Sequence, residues 1–296
     1  MGIIIGFHLF AAIKRSSNFF LEPLLLVFHS NRLFRSFAGI FSRLLKPRKD
    51  VLIRVGDHIM YAKSIDRIVA LVFWKLSLLE GYESKIVKNV VKEGMVGVDI
   101  GANIGYYTLQ LAKLVGPNGK VYAFEPDPGN YSLLVKNIKA NGYKNIIPIQ
   151  KAVSDKTGKS RLFFCEEHHG DHRIFDSGDS RKVITIEAVA LDDFFSEKDR
   201  IDIIKMDVQG SEYLALSGME KLVRRQKDLT IISEFSPDLL ARCGVSPEEF
   251  IKKISDLGFR LQLINEEKKT INPIKGEDLI RMCRNSRYVN LFLDKK

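Results

Sequence analysis

Residues 96–105 read Val-Gly-Val-Asp-Ile-Gly-Ala-Asn-Ile-Gly, and Glu125 follows Gly105 by twenty positions, ending Val-Tyr-Ala-Phe-Glu. Val96, Val98 and Ile100 suit a buried parallel strand. Gly101 and Gly105 stand where such a strand turns into a helix. Glycine there lets backbone amides approach a ligand closely. A second apolar strand ending in a carboxylate supplies an acceptor for a ribose diol. The spacing predicts a site for an adenosine-containing cofactor. Asp99, Gly101, Asn103 and Gly105 form its turn, and Glu125 takes the ribose.

The details select among cofactors. A dinucleotide site wants Gly-x-Gly-x-x-Gly to admit a pyrophosphate. Here Asn103 replaces the middle glycine and position 106 is Tyr. Asp99 puts a negative charge on the pocket floor, which suits an ammonium or sulfonium better than a phosphate. S-adenosylmethionine carries both cations with ribose and adenine. No Gly-x-x-x-x-Gly-Lys-Ser/Thr occurs. The alternatives are a dinucleotide enzyme and a chance glycine turn. Asp127 either helps at the ribose or adenine or caps the following helix.

Methyl transfer is an in-line displacement at a sulfonium carbon, helped by alignment of the nucleophile. A hydroxyl nucleophile must also lose its proton. Lys205, Asp207 and Glu212 fall at the end of the core's fourth strand and the start of its helix, where open α/β sheets bind ligands. Asp207 is a candidate to orient or deprotonate a hydroxyl, and Lys205 to stabilise an alkoxide. A divalent cation at Asp207 is a further option that lacks support. Asp207 and Glu212 also read as cap and ion-pair residues of the turn. His168, His169, Asp171 and His172 cluster in the polar stretch 166–181. No later histidine completes a metal site, so no metal ligands are assigned. His172 is the choice for a substrate contact or general base near neutral pH; a plain solvated loop is the alternative. Tyr106 and Tyr107 open the first core helix, one of them either facing the sulfonium or packing in the core.

Asp99-Ile-Gly-Ala-Asn-Ile-Gly-Tyr-Tyr-Thr108, Ala123-Phe-Glu-Pro-Asp-Pro128, Ala152-Val-Ser-Asp155, Leu191-Asp-Asp193 and Ile204-Lys-Met-Asp-Val-Gln-Gly-Ser-Glu212 together resemble the FkbM-type methyltransferases. The likeness runs from about Gly81 to Glu234, and five motifs in the right order make it specific. It implies a class I S-adenosylmethionine-dependent methyltransferase fold, Rossmann-like, usually acting on oxygen. It further implies that Gly101 faces the methionine part, that Ser154 or Asp155 accepts from the adenine amino group, and that Glu83 closes over the cofactor. The family usually shows Glu where this chain has Gln209. That loss of a carboxylate weakens a multi-carboxylate metal site.

The elements that must position these residues follow from periodicity. Val51 to Ala62 alternates around Gly56-Asp57 and reads as a hairpin. Helices are expected over 66–79 and 83–91. Then strands at 96–100, 120–125, 146–150, 201–206, 229–234 and 259–264 alternate with helices at 104–115, 128–141, 211–225 and 247–257. Two further strands fall near 160–165 and 182–190, and a last one at 288–293. Such alternation predicts an α/β fold, a mainly parallel sheet with helices on both faces. The domain reading is a basic amphipathic segment over 1–50 and a methyltransferase domain over 51–296. That domain comprises the hairpin and helices of 51–94 and a catalytic core at 95–296.

Composition bounds the partners. The net charge is +10 over 296 residues. Residues 1–49 hold eight basic residues against Glu22, a net of +7, which leaves +3 for the rest. A near-neutral body argues against nucleic acid, as does Asp207-Val-Gln-Gly where base N-methylation wants Asn/Asp-Pro-Pro-aromatic. Three scattered cysteines form no CxxC pair and argue for a reducing, cytoplasmic compartment. Residues 1–13 lack a basic leader region and a cleavage site, so no secretory signal is expected. Leu33, Phe34, Phe37, Ile40, Phe41, Leu44 and Leu45 give Arg32–Lys46 one apolar face. This predicts a helix that packs on the core or lies on the inner membrane face. The functional expectation is O-methylation of a glycan, glycolipid or small natural product. The alternatives are a nucleic-acid methyltransferase and a non-catalytic cofactor-binding partner protein.

Overall fold

Val96–Ile100 forms the middle of an eight-stranded sheet. The computed structural model describes residues 50–63, 81–165, 171–283 and 288–295. The expected helix over 66–79 and the amphipathic helix Arg32–Lys46 lie outside the described residues. The strands are β1 (Val51–Val55), β2 (His58–Ala62), β3 (Val96–Ile100), β4 (Lys120–Phe124), β5 (Ile146–Ile149), β6 (Ala152–Val153), β7 (Gly158–Phe164), β8 (Lys182–Val189), β9 (Ile203–Met206), β10 (Thr230–Phe235), β11 (Phe259–Asn265), β12 (Thr270–Pro273) and β13 (Val289–Lys295). The helices are α1 (Tyr82–Val90), α2 (Tyr106–Val115), α3 (Pro128–Asn141), α4 (Leu191–Phe194), α5 (Glu212–Ser217), α6 (Glu220–Arg225), α7 (Pro237–Arg242), α8 (Pro247–Asp256) and α9 (Gly276–Met282).

The large sheet has the order β12-β11-β13-β10-β9-β3-β4-β5. From β5 to β10 all neighbours are parallel. β13 enters antiparallel between β10 and β11, and β12 folds back on β11. The chain leaves β3 toward β4 on one side and returns through β9 on the other. The carboxyl ends of β3 and β9 therefore flank a topological switch point, where ligands bind. Asp99 pairs with Lys205 in that register.

Strand alternation divides the core between two faces. Val98, Ile100, Ile204, Met206 and Ile231 pack with residues of α5, α6, α7 and α8. Val121, Ala123, Ile203 and Ile232 pack with α1, α2 and α3. Each fully buried Leu or Ile contributes on the order of 1.5–3 kcal/mol. The β1–β2 hairpin turns at Gly56 (φ +56°). Asn137 of α3 accepts from Tyr61 N at 2.6 Å and donates to Tyr61 O at 3.1 Å, completing the hairpin's edge. A separate three-stranded sheet, β6-β8-β7, carries its own apolar cluster of Ala152, Leu162, Ile186 and Ala188.

The single helix expected over 211–225 is two helices. A Cβ on Gly218 would lie 1.9 Å from Ser154 O, so the chain breaks where its backbone meets the loop after β6. Asp192 then starts α6 by accepting from Lys221 N at 3.0 Å and Leu222 N at 2.7 Å. α7, β12 and α9 are additions that the sequence pattern does not announce; each is too short for a periodic signal.

Candidate active site

The turn after β3 is built from three left-handed residues, Gly101 (φ +83°), Asn103 (φ +51°) and Gly105 (φ +98°). Asp99 is buried and accepts from Thr108 Oγ1. Burial lifts its carboxyl to about 6, against the opposing pull of Thr108 and Lys205. Glu125 follows β4 and accepts from Asn103 N and Asp127 N, each at 2.8 Å. Burial dominates there too and raises Glu125 to about 8.

A cleft of about 530 Å³ opens over this turn. Gly101, Asn103 and Glu125 line one part of it, and Phe124, Leu162 and Ile174 supply apolar walls. A strand-end carboxylate beside apolar walls matches the chemistry of a ribose joined to an aromatic base. Ala152 and Val153 also line the cleft. Ser154 and Asp155 lie one step further on and bond each other, Ser154 Oγ to Asp155 Oδ1 at 3.1 Å. Asp127 caps α3, accepting from Asn130 N at 2.6 Å.

A second, larger cavity of about 1360 Å³ shares Asp207 and Gln209 with the cleft. Lys205 is buried in its wall, with Nζ 3.1 Å from Glu83 Oε1 and 5.0 Å from the Tyr107 ring centre. Burial opposes its charge, but Glu83 and Asp207 outweigh burial and raise its pKa. Asn290 Nδ2 donates to the other oxygen of Glu83. Burial first, then Glu83, holds the Tyr107 hydroxyl well above its usual value.

The sequence-predicted residues thus divide. Gly101, Asn103 and Glu125 line the cleft, Asp99 and Gly105 belong to the turn beneath it, Lys205 lines the second cavity, and Asp207 lines both. Glu83, expected to close over the cofactor, lines the second cavity and is the partner of Lys205. Glu212, expected to act in catalysis, holds the turn: Oε1 accepts from Val208 N at 3.1 Å and Gly210 N at 3.3 Å. His172 lines the nucleotide cleft and not the cavity around Lys205. His168 and His169 lie outside the described residues. Among the described residues no group of three or more His, Cys, Asp or Glu could hold a metal ion. No helix among them is long and apolar enough to cross a membrane.

Sequence reasoning missed Glu234, the next-to-last residue of β10, which lies beside the end of β9 and is buried. Burial, with Asp207 and Glu212 nearby, holds it well above the usual carboxylate range. Tyr288, at the second cavity, was also unmarked.

The pattern of the family described as Methyltransferase FkbM domain matches residues 99–261. The chain belongs to the FkbM methyltransferase family. The matched span is a methyltransferase domain and holds the carboxyl ends of β3 and β9. The chain is 42% identical over 81 residues to the tRNA(Phe) (4-demethylwyosine(37)-C(7)) aminocarboxypropyltransferase of Methanocaldococcus jannaschii, covering 27% of this chain and 31% of that one. It is 26% identical over 156 residues to methyltransferase sdnD of Sordaria araneosa, covering 42% of this chain and 60% of that one. The chain thus spans less than two thirds of the length of these curated relatives. Among solved structures it is similar to M. jannaschii TYW2 in complex with AdoMet, at 20% identity and a TM-score of 0.43 over 83% of this chain and 84% of that one.

Proposed function

We propose that this FkbM methyltransferase methylates a hydroxyl group on a glycan, glycolipid or small natural product. The observation that supports this most is the large polar cavity that meets the nucleotide cleft at Asp207. S-adenosylmethionine supplies an electrophilic methyl group when bound. The chain's own residues do the rest. Glu125, Asp99 and the turn at Gly101 hold the nucleoside and methionine parts. Asp207, present in both cavities, orients the acceptor hydroxyl and takes its proton. Lys205, kept cationic by Glu83, stabilises the oxygen as charge develops. Alignment of the two reactants at Asp207 supplies much of the remaining rate.

The cavity is lined by four carboxyl side chains, Glu83, Asp207, Glu234 and Asp238, against Lys205, Arg173 and Arg242. Such a wall suits a polyhydroxylated acceptor better than a phosphate backbone. Tyr288 at the same cavity offers an aromatic face of the kind on which a sugar ring stacks. The tRNA-modifying relative motivates a second reading, an RNA acceptor.

The deciding experiment transfers labelled methyl from S-adenosylmethionine to neutral oligosaccharides, lipid-linked sugars and tRNA in parallel. Label on a sugar oxygen, located by mass spectrometry, is the expected result. Label on tRNA alone would overturn the proposal. Asp207→Asn is expected to lower kcat by about 10²–10⁴-fold with cofactor affinity retained. The +7 of residues 1–49 motivates a cytoplasmic enzyme that touches the anionic inner leaflet; equal flotation with anionic liposomes after removal of that segment would refute the contact.

A further inference from the structure

Asp207 follows β9, and Glu234 lies in neighbouring β10, one residue past the Met206–Ser233 pair. Both line the cavity. Between them stands Gln209, whose φ of +52° is a left-handed conformation rarely held by a residue other than glycine. Strain of this kind persists where the surrounding structure enforces it, and it clusters at active sites. Here the strained residue has a definite geometry. Its side-chain nitrogen donates to Asp207 Oδ1 at 2.8 Å and to Glu234 Oε2 at 3.0 Å. A primary amide nitrogen carries two hydrogens, and both are engaged. One amide nitrogen thus holds an oxygen of each carboxyl group beside it. Three side chains from two strand ends therefore close one small network at the point the two cavities share.

Two carboxyl groups this close do not both ionise readily; one keeps a proton. Burial and the neighbouring carboxyls of Asp207 and Glu212 place that proton on Glu234, and Lys205 opposes them. Tyr288 lines the same cavity.

We propose that Asp207, Gln209 and Glu234 form one proton-sharing unit, in which Glu234 donates a proton toward Asp207, Gln209 clamps both carboxyl groups, and Asp207 presents a single negative charge to the acceptor. Asp207 is the group that meets the acceptor. Gln209 and Glu234 are positioning residues. The step balances. The acceptor's O–H bond breaks and its proton passes to the unit, which goes from one negative charge to none. The oxygen–methyl bond forms as the methyl–sulfur bond breaks, and the bonding pair stays on sulfur, which loses its positive charge.

The proton on Glu234 can be tested without any acceptor. The infrared difference spectrum between wild type and Glu234→Gln, both saturated with S-adenosylmethionine at pH 7, is expected to contain a protonated-carboxyl C=O stretch lost in the variant. Its absence from wild type would overturn the proposal. A second arm rests on the hydroxyl-acceptor reading and measures kcat against pH. The acid limb reports the coupled unit as a whole. Glu234→Ala is expected to move it upward by removing the donor, and Glu234→Gln to restore most of the wild-type position, since an amide still donates. Gln209→Glu adds a third carboxyl and is expected to move the limb up by at least ~1 unit. Unmoved limbs in Glu234→Ala and Gln209→Glu would overturn the proposal. A cofactor Kd within about twofold of wild type identifies folded variants. If the methyl group lands on nitrogen or carbon, the O-methylation reading fails, and the infrared arm still decides the proton on Glu234.

Discussion

Gly101 meets the main chain of Asp207 so closely that a Cβ at position 101 would lie 2.0 Å from the Asp207 carbonyl oxygen. The cofactor turn and the acceptor loop thus rest directly on each other, and neither can move alone. Position 101 also sits at φ +83°. Gly101→Ala is expected to cost about 1–3 kcal/mol from the backbone conformation, with the clash adding to it. Urea unfolding should register the loss of stability, and a calorimetric titration a much weakened S-adenosylmethionine affinity. Wild-type affinity in this variant would show that the contact is not needed.

Glu125 makes cofactor binding depend on pH. Its folded carboxyl titrates at about 8, above the ordinary 4.5, chiefly through burial. The native state therefore holds a proton that the unfolded state has lost between these values. The sign follows: the stability it contributes is present below about 4.5 and is lost as pH rises toward 8. A ribose diol donates to the ionised form, so cofactor affinity should run the other way. It is expected to rise with pH up to about 8, by at most about tenfold per unit. Calorimetry in two buffers of different ionisation enthalpy should detect proton release on binding. Glu125→Gln should flatten both profiles; a pH-independent Kd in wild type would reject the link.

The cofactor turn could be read from sequence because its signal is local. Two glycines, one aspartate and a carboxylate twenty residues on need no knowledge of the rest of the chain. The strand-helix alternation was legible for the same reason. Glu234 was not, because Thr230–Phe235 reads as an ordinary buried strand and its last carboxyl gains meaning only from the pairing of β10 with β9. The ion pair of Glu83 was not legible because its partners, Lys205 and Asn290, are remote in sequence. The break at Gly218 was invisible because helical periodicity continues across it, and what interrupts it is Ser154 O.

Lys205 and Glu83 are both nearly inaccessible to solvent. Removing one member of such a pair strands the other charge. Lys205→Met is expected to destabilise the protein by about 3–5 kcal/mol. Adding Glu83→Gln should recover part of that loss, a coupling of about 0.5–3 kcal/mol in a double-mutant cycle followed by urea unfolding. Strict additivity of the two changes would show that the 3.1 Å contact carries no coupling. Turnover should stay low in the double variant even where stability returns, because the fixed cation at the acceptor cavity is gone.

His172 was expected from sequence to act on the acceptor. We propose a different task for it. Nδ1 accepts from Cys165 N at 3.1 Å, and the ring centre lies 4.5 Å from that of Phe164. Leu162 and Ile174 share its cleft with Glu125. These contacts fix a flat ring in the wall beside the nucleoside. An aromatic contact of this kind is worth about 0.5–1.5 kcal/mol, so His172→Ala should weaken S-adenosylmethionine binding by about two- to tenfold. The kcat at saturating cofactor should stay near that of wild type. His172→Phe should keep much of the affinity, since it preserves a flat ring while giving up the bond from Cys165 N. The decisive comparison is kcat against Kd. A collapse of kcat in both variants at unchanged Kd would return His172 to the role of a base and move the acceptor toward the apolar wall.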